Sequence, residues 1–99
     1  MPKLTTVYWR DIPAQVIAKE RRVNAKVVLT ERFAEAIDKA AMRANMAGTD
    51  AYLEQWRQEN TKCGNDLQSA VDAAAAKLEQ EYDEKRLQNM IRNGGIETE

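Results

Sequence analysis

Apolar and polar side chains alternate along three short stretches near the start of the chain, and the period then lengthens. In Leu4–Arg10, Val7 and Trp9 fall on one face and Tyr8 and Arg10 on the other, which predicts a β-strand. Asp11-Ile12-Pro13 interrupts it, because proline lacks an amide donor and restricts the residue before it. Ala14–Lys19 resumes the alternation, with Val16 and Ala18 against Ile17. After the polar turn Glu20-Arg21-Arg22, the residues Val23, Ala25, Val27 and Leu29 give the cleanest period-two face in the chain. The simplest arrangement is an antiparallel three-stranded meander.

From Thr30 the period is helical. Thr30 is a suitable N-cap and Glu31 puts negative charge in the first turn, where the helix dipole favours it. Phe33, Ile37, Ala40, Ala41 and Ala44 recur on one side, and Arg32, Glu35, Asp38, Lys39 and Arg43 on the other. Ala47-Gly48 ends this helix, and Thr49-Asp50 opens a short one with Tyr52, Leu53 and Trp56 on one side, running out near Gln58. Trp56 is expected to close the seam between helix and sheet.

Asn60–Asn65 reads as a polar turn, and Asn65 with Gln68 resembles a capping box. One long helix then runs to about Asn93, where Gly94-Gly95 stops it. Its apolar stripe is Leu67, Val71, Ala74, Leu78 and Tyr82; beyond Asp83-Glu84-Lys85-Arg86, the residues Leu87, Met90 and Ile91 point roughly the opposite way. About 28 helical residues span roughly 42 Å, more than the roughly 30–35 Å of a globule this size. The helix therefore kinks near residue 83 or projects, and the Leu87/Met90/Ile91 patch meets either a second protein chain or the protein's own sheet.

The expected architecture is α+β: a three-stranded antiparallel sheet packed against two helices, followed by one long C-terminal helix. A βββαα core over residues 1–59, a turn at 60–64 and the helix and tail at 65–99 form a single domain. With 43% apolar and 31% charged residues, the composition suits a globular chain. No apolar run approaches the roughly 18 residues of a membrane span, and MPKLTTVYWR lacks the apolar core of an export signal. Cys63 stands alone, so the expected compartment is the reducing cytoplasm and the expected role of Cys63 is that of a tolerated turn residue rather than a redox thiol. The net charge of −1 conceals a split: residues 1–32 hold seven Lys/Arg against three Asp/Glu, the remainder eight against thirteen.

The absence of histidine and the single cysteine remove most catalytic triads, zinc sites, haem and iron–sulfur ligation, and no glycine-rich phosphate loop occurs. No catalytic residue, metal or cofactor is expected. The carboxylates of Glu79, Glu81, Asp83 and Glu84 stand among Lys77, Lys85 and Arg86, a salt-bridged helix face rather than a cation site. What remains is the run Tyr8-Trp9-Arg10-Asp11, where aromatic area adjoins directional charge as at recognition surfaces. Tyr8, Arg10, Asp11 and Gln15 are the candidates for one contact, and Leu87, Met90 and Ile91 for another, to a partner or to a second copy in a homodimer. Six aromatics and an acidic balance argue against nucleic acid. The rival reading is a subunit that holds an anionic, folate-like ligand or substrate through Arg10, Asp11 and the basic hairpin.

VYWRDIPAQVIAK, LTERFAEAIDKAAMRANMAGTDAYLEQW and the closing helix resemble a small bacterial "virulence factor" domain family, related to a module of conserved virulence factor C. The likeness is close over about residues 4–57 and looser over 65–95, with Glu20-Arg21-Arg22-Val23-Asn24 at a variable hairpin tip. The resemblance brings no catalytic residues. It implies an accessory subunit in one-carbon metabolism, because short members tend to be encoded beside folate and corrinoid methyl-transfer proteins. A methylenetetrahydrofolate reductase-type protein or a corrinoid methyltransferase protein is the implied partner.

Overall fold

A computed structural model describes residues 2–97, so residues 98 and 99 of the expected tail lie outside the described residues. The elements are β1 (Lys3–Trp9), β2 (Ile12–Glu20), β3 (Val23–Val28), α1 (Glu31–Arg43), α2 (Asp50–Glu54), β4 (Trp56–Lys62), α3 (Leu67–Glu81) and α4 (Glu84–Arg92). The α+β class and the antiparallel β1–β2–β3 meander follow the pattern of the sequence. Among the described residues, however, the sheet has four strands in the order β3-β2-β1-β4, and the helices number four rather than three.

The unforeseen strand is Trp56–Lys62, which pairs antiparallel with β1 from Trp9↔Trp56 to Lys3↔Lys62. Its sequence, WRQENTK, has no alternating apolar face, and every residue in it is exposed. Such a segment carries no strand signature of its own; β1's free edge organises it through main-chain hydrogen bonds. Trp56 thus belongs to an edge strand and is 37% exposed instead of sealing the seam.

The long helix breaks. Tyr82 leaves helical geometry at φ −98° and ψ 74°, and the Asp83 side chain caps α4 by accepting from the amide of Arg86 at 2.8 Å. The reversal of the apolar stripe at residue 83 has this cause. Leu87 and Met90 turn back into the core, where they are buried and α4 packs on α1. They form no exposed second face, so the neighbour of the stripe is the chain itself, and Ile91 is half-buried beside them. Upstream, the cap of α3 is Asp66, accepting from Ser69, rather than the Asn65/Gln68 pair.

Thr30 occupies the N-cap position of α1 but makes no side-chain capping bond. Its amide and its hydroxyl both donate to the Glu79 carboxylate, at 2.8 and 2.9 Å, which fastens α1 to α3. Arg32 adds a salt bridge to Glu79 at 3.0 Å and donates to the carbonyls of Glu79 and Tyr82, satisfying main-chain acceptors at the end of α3. Burial would push the Glu79 carboxyl up, but the Thr30 and Arg32 hydrogen bonds outweigh it and hold the group below its ordinary range.

The core lies between α3 and one sheet face, where Val16 and Ala18 are fully buried, and continues to Phe33, Ile37 and Ala40 of α1. Each large side chain buried there contributes about 1.5–3 kcal/mol. The other sheet face is packed by Tyr52 of α2 at its Trp9/Trp56 end, and beyond that end its hollows are lined by strand residues alone. Across it, β4, β1, β2 and β3 align the rows Gln58–Val7–Gln15–Val28, then Asn60–Thr5–Ile17–Lys26, then Lys62–Lys3–Lys19–Asn24. Pro13 is tolerated inside β2 because the β1–β2 register shifts beside it, leaving Ala14 without a partner on β1, while β3 pairing begins only at Gln15.

Two-residue turns close both hairpins, Arg10-Asp11 and Arg21-Arg22, and in each the first arginine has a left-handed backbone, at φ 56° and 55°. That conformation is uncommon for a residue with a Cβ.

Candidate functional site

Trp9 anchors the end of the sheet nearest the α1–α2 loop. It is fully buried, and its indole Nε1 donates to the Tyr52 carbonyl at 2.9 Å. The Tyr52 ring sits 5.5 Å from Trp9 and 6.1 Å, edge to face, from Trp56, so three aromatics step from the core to the surface. α2 supplies the middle step because Thr49 caps it, accepting from the amide of Tyr52.

Around this ladder the surface is concave and apolar. A cleft of about 560 Å³ between α1 and α2 is lined by Met42, Gly48, Tyr52 and Leu53, with Asp38 and Asp50 at its rim. A hollow of about 250 Å³ follows, bounded by Gln15, Val28, Tyr52 and Trp56. A third, of about 550 Å³, opens over Val7, Gln15, Trp56 and Gln58 on the sheet face away from α3. Asp38 and Tyr52 line both the first and the second, and Gln15 and Trp56 both the second and the third, so the three adjoin in one depressed region. Met42, Leu53 and Val28 are exposed by more than 60%, and with Trp56 they form an apolar patch of the kind that marks interaction sites.

Of the candidates read from the sequence, Gln15 lies in this depression. Arg10 does not reach it. Its guanidinium donates to Gln55 Oε1 at 3.1 Å, the Gly94 carbonyl at 3.0 Å and Met46 Sδ at 3.3 Å, and stands 5.4 Å from the Trp9 ring. It clamps four segments together, so an anion bound at Arg10 would compete with these contacts. Gly95 completes the clamp at φ 95°; a Cβ there would come within 2.6 Å of the Trp9 ring, so only glycine fits. The Gly95 carbonyl accepts from the Asp11 amide at 2.9 Å, and the Asp11 carboxylate accepts from the Glu97 amide at 2.7 Å.

Tyr8 is half-buried on the other side of the sheet, under Arg57, whose guanidinium lies 4.4 Å from the ring and also bridges to Asp11 and Glu59. Burial, and then the Glu59 carboxylate, push the Tyr8 hydroxyl above its ordinary pKa. Tyr8, Arg10 and Asp11 thus gather at one corner, Gln15 faces the depression, and Leu87 and Met90 lie in the core. Sequence reading missed Met42 and Val28; the available signal was Met42, a large apolar residue off the Phe33/Ile37/Ala40 stripe.

Among the described residues no cluster of three or more His, Cys, Asp or Glu could hold a metal ion, and no helix is long and apolar enough to cross a membrane. Every fully buried side-chain nitrogen or oxygen among them has a hydrogen-bond partner.

A family model described as "Virulence factor" matches residues 7–91, from within β1 to the last turn of α4. The chain belongs to the virulence factor family. The match takes in the Trp9–Tyr52–Trp56 ladder, both hairpin turns and all but the first four residues of β1 and the last of α4. No curated protein and no solved structure matches the chain.

Proposed function

We propose that this virulence factor family chain is a non-catalytic accessory module of the cytoplasm that binds another protein through the depression around Trp56. The observation that carries the reading is the concentration of exposed Met42, Leu53, Val28 and Trp56 on one concave surface backed by a rigid aromatic ladder. Partly exposed tryptophan over a preformed pocket is the usual composition of an interface anchor. A role beside a one-carbon enzyme, of the methylenetetrahydrofolate reductase or corrinoid methyltransferase type, rests on the resemblance alone and names the first partner to try.

Gentle purification of the endogenous chain, followed by mass spectrometry, tests the reading. The expected result is a stoichiometric companion protein that Trp56→Ala and Leu53→Asp each release, while both variants remain folded. Recovery of the wild-type chain as a lone monomer, or a companion that both variants retain, would overturn it.

A further inference from the structure

The sheet face away from α3 has a second property, separate from its apolar end. Lys62, Lys3 and Lys19 stand directly opposite one another on β4, β1 and β2, and Lys26 follows on β3 one row away. Like charges directly across a sheet destabilise it. No Asp or Glu shares the three rows of this face, and none of the four lysines makes an ion pair with a carboxylate of the described residues. The carboxylates lie elsewhere: Asp11, Glu59, Glu79, Glu81 and Glu97 are bonded to arginines, a lysine or main-chain amides. The face is therefore cationic within a chain whose net charge is −1.

We infer that this row receives an acidic helix of a partner protein, laid across the strands. Strands repeat about every 4.8 Å, so three facing lysines present charge at roughly 0, 5 and 10 Å. Carboxylates at i, i+4 and i+7 of an α-helix fall at roughly 0, 6 and 10.5 Å along one side. The two ladders match in step and oppose in sign. In the next row Ile17 is half-buried, and the buried Thr5 hydroxyl donates to Asn60 Oδ1 at 2.7 Å, which leaves a shallow floor beside the lysines. Single-stranded nucleic acid fits less well, because it stacks its bases on a series of aromatics, and among these rows there is none. This inference rests on the protein-binding reading above and adds the chemistry of the partner to it.

The probe is a labelled helical peptide bearing Glu at i, i+4 and i+7, titrated into the full chain at low salt. Anisotropy gives the affinity and amide shifts give the location. The expected result is saturable binding with shifts concentrated at Lys3, Thr5, Ile17 and Lys62. Replacing the three Glu by Gln in the peptide weakens it at least tenfold, as does the triple variant Lys3→Gln/Lys19→Gln/Lys62→Gln. That variant should also melt at or above the wild-type temperature, since it removes facing like charges. Equal binding of the Gln peptide would overturn the inference. So would shifts centred on Arg21 and Arg22, tighter binding of an oligothymidylate at equal salt, self-association lost in the triple variant, or a melting temperature lowered by several degrees. The two readings fail separately: loss of the companion in Trp56→Ala is independent of the peptide titration, and peptide binding at the lysine row survives even if the endogenous chain proves solitary.

Discussion

The two hairpin turns begin alike and end in opposite surroundings. Arg10 and Arg21 each open a two-residue turn with nearly the same positive φ. Arg21 extends into solvent, whereas Arg10 folds back over Trp9 and donates to Gln55, Gly94 and Met46. A strained backbone costs about 1–3 kcal/mol wherever it occurs, and only at Arg10 does the side chain return something for it. The β1–β2 turn is thus held by long-range contacts to the C-terminal segment, while the β2–β3 turn is held by its own strands. Equal local geometry says little about how firmly a turn is fixed.

The largest test of this contrast removes what the clamp covers. Trp9→Ala deletes a buried indole and its bond to Tyr52, and should cost about 3–5 kcal/mol in urea unfolding. Val23→Ala, beside the free turn and 64% exposed, should stay within about 0.5 kcal/mol. Arg10→Gly relieves the left-handed strain but forfeits the guanidinium contacts, so it should destabilise by about 1–2 kcal/mol by the same measurement. If Arg10→Gly were neutral or stabilising, the clamp would be ornamental and the two turns equivalent.

A pH titration sharpens the comparison at the C-terminal side of the clamp. Hydrogen bonds from Arg86 hold the Glu97 carboxyl below its ordinary value. A carboxylate with a lowered folded pKa stabilises the native state above the unfolded value of about 4.3, and that stabilisation is lost as pH falls through the folded pKa. Because the pair is partly exposed, at 34% and 38%, the effect should be below about 1 kcal/mol. Glu97→Gln should therefore lower stability slightly at pH 7 and flatten its decline between about pH 5 and 3. The smallest effect belongs to the free turn: Arg21→Gly should raise stability by a few tenths of a kcal/mol, visible as a small rise in urea midpoint, because glycine adopts the left-handed region freely.

How far these features were legible depends on whether they are local. Val16/Ala18 and Val23/Ala25/Val27 announced β2 and β3 by alternation, whereas the reversal between Tyr82 and Leu87 marked residue 83 without deciding between a kink and a projecting helix. β4 was invisible because Arg57-Gln58-Glu59-Asn60 alternates in nothing; its identity as a strand resides in the edge of β1. Leu87 and Met90 were legible as apolar but not as core, since helical phase gives a direction without naming what lies there. Gln15 was noticed, while its neighbours Met42, Val28 and Trp56 converge only through the fold. The lysine row needed the register, because Lys3 and Lys62 meet across a pairing that no sequence period encodes.

The closure of the first hairpin by the chain's far end carries a temporal consequence. Asp11 and Glu97, hydrogen-bonded in the finished molecule, are 86 residues apart. At ribosomal speeds of about 5–20 residues per second, roughly 4–17 s pass between their synthesis. Until Gly95 has been made, Trp9 lacks its glycine cover, and once outside the ribosome it is an adhesive site that a chaperone or a neighbouring nascent chain can reach.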